Sequence, residues 1–253
     1  MPADSSSATI ILVHGAFADA SSWSSVLGHL RGAGVSAEAV PNPMRGLTSD
    51  GEYLASLLGQ IDGPVVLVGH SYGGPVITYA SSKAANVRAL VFVASFGVDK
   101  GVSTLGSVEA FPPPELMTSL QPRSFPDGTG GTGGTGGTGT ELYIQADKFH
   151  SVFAADLPED RTAVMAVSQR PPADVAFGEP LSVEPGWKTI PSWFIVAGDD
   201  HAINLDAERA AAKLMSATTT EIDGGSHAIA LAHPQQVSDV ILQAVNAVEG
   251  AQS

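Results

Sequence analysis

Short apolar runs alternate with amphipathic stretches along most of the chain, the pattern of a parallel sheet covered by helices. The runs Ile10–Val13, Ser36–Val40, Val65–Val68, Leu90–Ala94, Trp193–Ala197 and Thr219–Ile222 predict strands. The third and fourth are nearly unbroken Val, Leu and Phe, as expected where both faces of a strand are buried. Helical spacing predicts helices over Trp23–Arg31, Gly51–Gln60, Gly74–Lys83, Asp206–Met215 and Gln235–Val248. Asp50 and Asp206 stand where N-caps would serve, and Pro75 suits the first turn of a helix. The expected class is α/β, with a mostly parallel sheet of about six strands flanked by helices.

Between Gly97 and Lys188 the alternation stops. This stretch holds Pro112–Pro114, helix-like pieces near Glu141–Ala155 and Glu159–Ser168, and Pro171–Pro172. It reads as a lid, residues 99–187, inserted into a core formed by residues 1–98 and 188–253. Inside it, Gly128–Gly139 is a near-perfect Gly-Gly-Thr repeat. The repeat formally contains G-x-G-x-x-G at Gly128, Gly130 and Gly133. A dinucleotide site needs that motif between a strand and a helix, and here Pro-Asp leads in, so a flexible loop is expected.

Composition narrows the picture further. At 253 residues the chain fits one domain with an insertion, and it needs no staples. It has no cysteine, which excludes disulfides, a thiol nucleophile and thiolate metal sites. A formal charge of −14 argues against nucleic acid or an anionic membrane as partner. Residues 1–9 carry neither the basic nor the apolar segment of a secretory signal, and no apolar run approaches the roughly 18 residues of a membrane span. A cytoplasmic protein is expected. No His/Asp/Glu spacing resembles a metal-ligand set, and no cofactor is called for.

The candidate chemistry begins at Gly69-His70-Ser71-Tyr72-Gly73, a G-x-S-x-G that follows a strand and precedes Gly74-Pro75 and a helix. That context is the nucleophile elbow, a turn so tight that glycines are needed on either side of the serine. It lifts Ser71 to the C-terminal edge of the sheet, beside a helix N-terminus that favours developing negative charge. A serine hydroxyl needs a base. Of seven histidines, His227 lies in the loop after the last strand and before the last helix, at that same edge, whereas His233 stands just before Pro234 at a helix start. His14 is expected to brace the loop after the first strand, and His70 is the elbow's variable position.

The fifth strand ends in Gly198-Asp199-Asp200-His201, where a carboxylate can orient the imidazole. Two aspartates compete; Asp200 is preferred, leaving Asp199 to cap the loop or face solvent. The order Ser, Asp, His is that of the elbow fold. His14-Gly15-Ala16-Phe17 follows the first strand, and backbone N–H groups of Ala16 and Tyr72 are the expected oxyanion donors.

Together, Leu12-Val13-His14-Gly15-Ala16-Phe17, Val68-Gly69-His70-Ser71-Tyr72-Gly73-Gly74, Gly198-Asp199-Asp200 and Gly225-Ser226-His227-Ala228 resemble the α/β-hydrolase superfamily. The resemblance spans the chain outside the lid and points to its compact branch, which holds plant methylesterases, hydroxynitrile lyases and bacterial pyrethroid-hydrolase-like esterases. It implies the α/β-hydrolase fold, places the acid on Asp200, four residues before Asn204, and places the oxyanion donors on Ala16 and Tyr72. Plant hydroxynitrile lyases carry Thr and Lys where this chain has Gly15 and Ala228, so hydrolysis is expected over lyase chemistry. The Gly-Thr repeat has no counterpart in that pattern.

The expected activity is hydrolysis of small, hydrophobic esters through an acyl-enzyme, with Phe17, Phe149, Phe153 and Met165 as substrate contacts. Lactone or C–C bond hydrolysis, perhydrolysis and a triad-bearing small-molecule receptor are the alternatives on the same scaffold.

Overall fold

The computed structural model describes residues 7–127 and 137–250. In chain order its elements are β1 (Thr9–Val13), α1 (Ser24–Gly32), β2 (Ser36–Val40), α2 (Leu47–Leu58), β3 (Val65–His70), α3 (Gly73–Ser81) and β4 (Val87–Val93). They continue as β5 (Leu120–Pro126), β6 (Thr138–Ile144), α4 (Phe149–Phe153), α5 (Glu159–Val167) and α6 (Val175–Gly178). The last are β7 (Ser192–Ala197), α7 (Leu205–Leu214), β8 (Thr218–Ile222), α8 (Ile229–Ala232) and α9 (Pro234–Gly250).

Six strands form one parallel sheet in the order β2-β1-β3-β4-β7-β8. Strand alternation divides the buried residues between its faces. Ile10, Leu12, Val66, Val68 and Val91 join Val26, Leu30, Val237 and Ile241 on the side covered by α1 and α9. Ile11, Val13, Leu67, Leu90 and Phe92 join Leu54, Val76, Ile77 and Ala211 on the side covered by α2, α3 and α7. Each such side chain contributes roughly 1.5–3 kcal/mol by leaving water. The edge strands are the polar ones: β2 exposes Ser36 and Glu38, and β8 exposes Thr218, Thr219 and Glu221. Charged and polar edge residues discourage pairing with another chain. Among the described residues no helix is long and apolar enough to cross a membrane.

All six expected strands are present, within three residues of the expected bounds. Two caps differ. Asp50 lies inside the first turn of α2, where its carboxylate accepts the N–H groups of Arg45 (3.1 Å) and Gly46 (3.4 Å). It thereby lets the helix start at Leu47, one turn before the expected Gly51. Asn204, not Asp206, caps α7, accepting the Asp206 N–H at 3.0 Å.

The connection from β4 to β7 contains the stretch read as a lid. There the helix expected near Glu141–Ala155 is a strand followed by a shorter helix. β5 and β6 form an antiparallel hairpin, from Leu120↔Ile144 to Pro126↔Thr138. Pro122 and Pro126 offer no N–H, which only a small sheet at its edge tolerates. The other edge of β6 is occupied by residues 172–174: Leu142 N–H donates to Pro172 O (3.0 Å) and Asp174 N–H to Thr140 O (2.9 Å). Thr138 and Gly139, expected in the flexible loop, belong to β6, whereas residues 128–136 of the Gly-Thr repeat lie outside the described residues. Phe149, Phe153 and Leu157 join the sheet's own core cluster, so the connection packs directly onto the sheet.

Candidate active site

The turn from β3 to α3 places Ser71 in the left-handed region, at φ 51°. A non-glycine residue held there costs roughly 1 kcal/mol or more, and such strain persists only when the surroundings enforce it. Ser71 N–H donates to Val93 O (3.0 Å), while Ser71 O accepts from Gly74 N–H (2.9 Å) and from the Ser95 hydroxyl (2.7 Å). The turn is closed tightly enough that a Cβ at Gly69 would lie 2.6 Å from Gly73 O.

His227 enters the same edge from the loop after β8. Its Nδ1 lies 2.6 Å from Oδ2 of Asp200, and both side chains are buried. Oδ1 of Asp200 accepts the N–H groups of Ala202 (2.6 Å) and Ile203 (2.8 Å). Burial opposes ionisation of this carboxyl, but the imidazole and these donors outweigh it and hold its pKa below the usual range. Asp199, by contrast, has a side chain 60% exposed, and it meets His201 Nε2 at 3.3 Å. The chain therefore turns one aspartate inward and the other to solvent.

Four supports escaped sequence reasoning. Nε2 of His70 donates to the carbonyl of His227 at 2.8 Å. Burial first, then the neighbouring His227, lowers the His70 pKa to about 3, so the ring is neutral at ordinary pH. Asp156 accepts both the N–H (2.9 Å) and the hydroxyl (2.5 Å) of Ser226. Ala228 N–H donates to Phe153 O at 2.9 Å, so the segment after β6 grips the His227 loop on both sides of the histidine. Ser95 ties down the elbow as described. In the sequence Ser95 and Asp156 were isolated polar residues without a spacing signature, and no local pattern tied His70 or Phe153 to the His227 loop.

The loop after β1 crosses the elbow. Its His14 accepts Asn42 N–H on Nε2 (2.9 Å), and burial lowers its pKa. Phe17 N–H is spent on Arg170 O at 3.0 Å. Among the described residues, no acceptor takes the N–H groups of Ala16 or Tyr72. The Tyr72 side chain points away from the turn, and its hydroxyl donates to Asp50 at 2.8 Å. Burial raises the pKa of both groups, and the Asp50 charge adds to the effect on Tyr72.

The four expected substrate contacts are placed unequally. Phe153 sits edge-on to His227, with ring centroids 5.1 Å apart. Phe17 is 6.4 Å and Phe149 5.0 Å from Phe153. Met165 is half-buried on α5 and packs against the core cluster. Among the described residues no group of three His, Asp or Glu could hold a metal ion.

A parallel sheet of this strand order, with a serine elbow after its third strand and a His–Asp pair at the same edge, defines the α/β-hydrolase class. The chain belongs to the alpha/beta hydrolase family, whose model matches residues 10–240. It is 26% identical to Esterase PIR7B of Oryza sativa subsp. japonica over 97% of this chain and 98% of that protein. Its fold is similar to that of polyneuridine aldehyde esterase, with a TM-score of 0.78, 19% identity and coverage of 94% and 98% of the two chains. A pyrethroid hydrolase from Sphingobium faniae JZ-2 gives a TM-score of 0.73 and 19% identity over 95% and 98% of the chains. A methylesterase from Arabidopsis gives 0.73 and 18% over 94% and 99%. The methylesterases and pyrethroid hydrolases to which the motifs point are thus among its neighbours.

Proposed function

We propose that the protein is a carboxylesterase-type serine hydrolase that cleaves esters of small hydrophobic molecules through an acyl-enzyme. The observation that carries this reading is the 2.6 Å contact of His227 with Asp200 at the sheet edge where the elbow presents Ser71.

In this mechanism His227 takes the Ser71 proton as the serine oxygen attacks the ester carbonyl. Asp200, acting through Nδ1, leaves Nε2 as the basic nitrogen and offsets the charge of the imidazolium. The N–H groups of Ala16 and Tyr72 receive the oxyanion; each such donor is worth about 3 kcal/mol of transition-state stabilisation. His227 then protonates the leaving alcohol. It next activates water to hydrolyse the acyl-serine, returning the free acid and the resting enzyme. Every proton moves through His227, and no step calls on a cofactor.

Phe153 and Phe17 give the His227 side of the site an apolar wall, which supports an uncharged acyl or alkoxy group as its occupant. The segment read as a lid would supply most of this wall. Gly15 supports hydrolysis over lyase chemistry: a Cβ there would lie 2.6 Å from Ser71 Cβ and 2.9 Å from His70 O, so the loop leaves no room for threonine.

The test is turnover of p-nitrophenyl esters of graded chain length. A pre-steady-state burst of p-nitrophenol and covalent acylation at Ser71 are expected, both lost in Ser71→Ala, whose steady-state turnover should fall on the order of 10⁴-fold or more. Undiminished turnover in folded Ser71→Ala would end the hydrolase reading. Ester binding by the wild type with neither turnover nor acylation would make it a receptor.

A further inference from the structure

A second carboxyl lies behind the candidate triad. Glu208, in the first turn of α7, is fully buried, and its side chain is within hydrogen-bonding reach of Asp200. Two buried carboxylates in contact cannot both ionise at modest cost. The donors around them decide which keeps the charge. Asp200 receives three hydrogen bonds, from Ala202 N–H, Ile203 N–H and His227 Nδ1. Among the described residues, Glu208 receives one, from Ala197 N–H at 3.1 Å on Oε2, and its Oε1 has no partner as an anion.

The neighbouring groups on α7 and β8 bring Glu208 no compensating cation. The N–H groups of Asp206, Ala207 and Glu208 are all taken by Asn204. Glu221 on β8 adds a further negative charge, and the adjacent Arg209 is turned outward onto Glu221 and Asp206. A single proton on Glu208 removes the second buried charge and supplies a donor for a contact that otherwise has none.

We propose that Glu208 is held as a neutral carboxylic acid whose O–H donates to the Asp200 carboxylate, making it a positioning residue that sets the orientation and basicity of the Asp200–His227 pair. Burial and the neighbouring Asp200 push the Glu208 carboxyl well above the usual range, in keeping with that donor count. The inference rests on Asp200 being the triad acid. The protonation state can be read without activity.

Two measurements test it. In the infrared spectrum at pH 7, protein labelled with ¹³C-glutamate should show a protonated-carboxyl stretch that moves with the label and vanishes in Glu208→Gln. The labelled wild type suffices if the variant does not fold, and absence of a protonated glutamate band overturns the proposal whatever the enzyme does. The second measurement is the pH profile of kcat/KM. Glu208→Gln keeps a neutral donor to Asp200 and should leave the acid limb in place. Glu208→Ala removes the donor, makes Asp200 more basic, and should move the acid limb to higher pH. Its kcat should fall about tenfold with KM within about twofold, the scale of one hydrogen bond to a charged acceptor. If Glu208 were ionised, Gln would remove a negative charge beside the imidazolium, and the acid limb would move to lower pH. That shift would also overturn the proposal.

Discussion

The carbonyl oxygen of His227 accepts a hydrogen bond from the ring of His70, 2.8 Å away, although 157 positions separate the two in the chain. The residue before the elbow serine thus holds the backbone of the candidate base. Because its donor is Nε2, the neutral ring leaves Nδ1 unprotonated, and among the described residues that atom has no partner.

This burial has a pH signature. The His70 pKa falls from 6.5 to about 3 on folding, so the unfolded chain takes up a proton first as the pH drops. Stability is therefore fully present above about 6.5 and is lost progressively as the pH falls from there toward 3. Between pH 7 and 5 the linked loss is about 2 kcal/mol. His70→Gln can keep the donor but cannot titrate. Urea unfolding at the two pH values should show a smaller acid penalty in this variant; an equal penalty would mean that His70 is not buried as a neutral ring.

Asp199 and Asp200 should separate cleanly on mutation. Asp200 is enclosed by three donors, whereas Asp199 faces solvent beside His201. Asp200→Asn is expected to lower kcat roughly 10³- to 10⁴-fold. Asp199→Asn should cost about tenfold or less. Measuring kcat on one activated ester for both variants, with folding verified, decides the acid, and a crippled Asp199→Asn would reverse the assignment.

Gly15 is predicted to admit no side chain without displacing the elbow. A new Cβ would meet Ser71 Cβ at 2.6 Å and backbone oxygen of His70 at 2.9 Å, neither of which is the flexible end of a side chain. Gly15→Thr should destabilise the protein by about 1–3 kcal/mol and depress kcat at least tenfold. Denaturant midpoints and steady-state kinetics provide the check. Wild-type values for both would show that the loop stands farther from the serine.

The Gly-Thr repeat joins β5 to β6, whose ends are already closed by Asp127 N–H donating to Gly137 O at 3.0 Å. Removing residues 130–135 should leave the sheet and the Ser71 site folded, because loop length changes closure entropy by only about 1 kcal/mol or less. Circular dichroism and activity against a short-chain ester are the readouts. Loss of the folded state would show that the repeat has a structural role.

The chain's periodicity was enough for the elements that one run of residues can specify. Four apolar runs and two more polar edge runs became the six strands in place, and the G-x-S-x-G after Val65–Val68 marked the turn that carries Ser71. Chain order put His227 and the Asp199-Asp200 pair at the same sheet edge. Such features are local: alternation, a crowded turn and a cap are written within a few residues, and the parallel sheet then gathers the loop ends by topology.

Tertiary structure decided what depends on groups far apart in sequence. Local pattern read Glu141–Ala155 as helical, but backbone groups of Leu120–Pro126 and residues 172–174 pair both edges of Thr138–Ile144 and make it a strand. Asp50 was a cap by spacing, until Tyr72 and the N–H groups of Arg45 and Gly46 drew its carboxylate back into the first turn. Which aspartate turns inward, and where Glu208 and His70 sit against Asp200 and His227, follow from packing that no short window of sequence contains. The physical reason is that hydrogen-bond satisfaction and desolvation are fixed by all neighbours at once, and those neighbours are assembled only when the sheet closes.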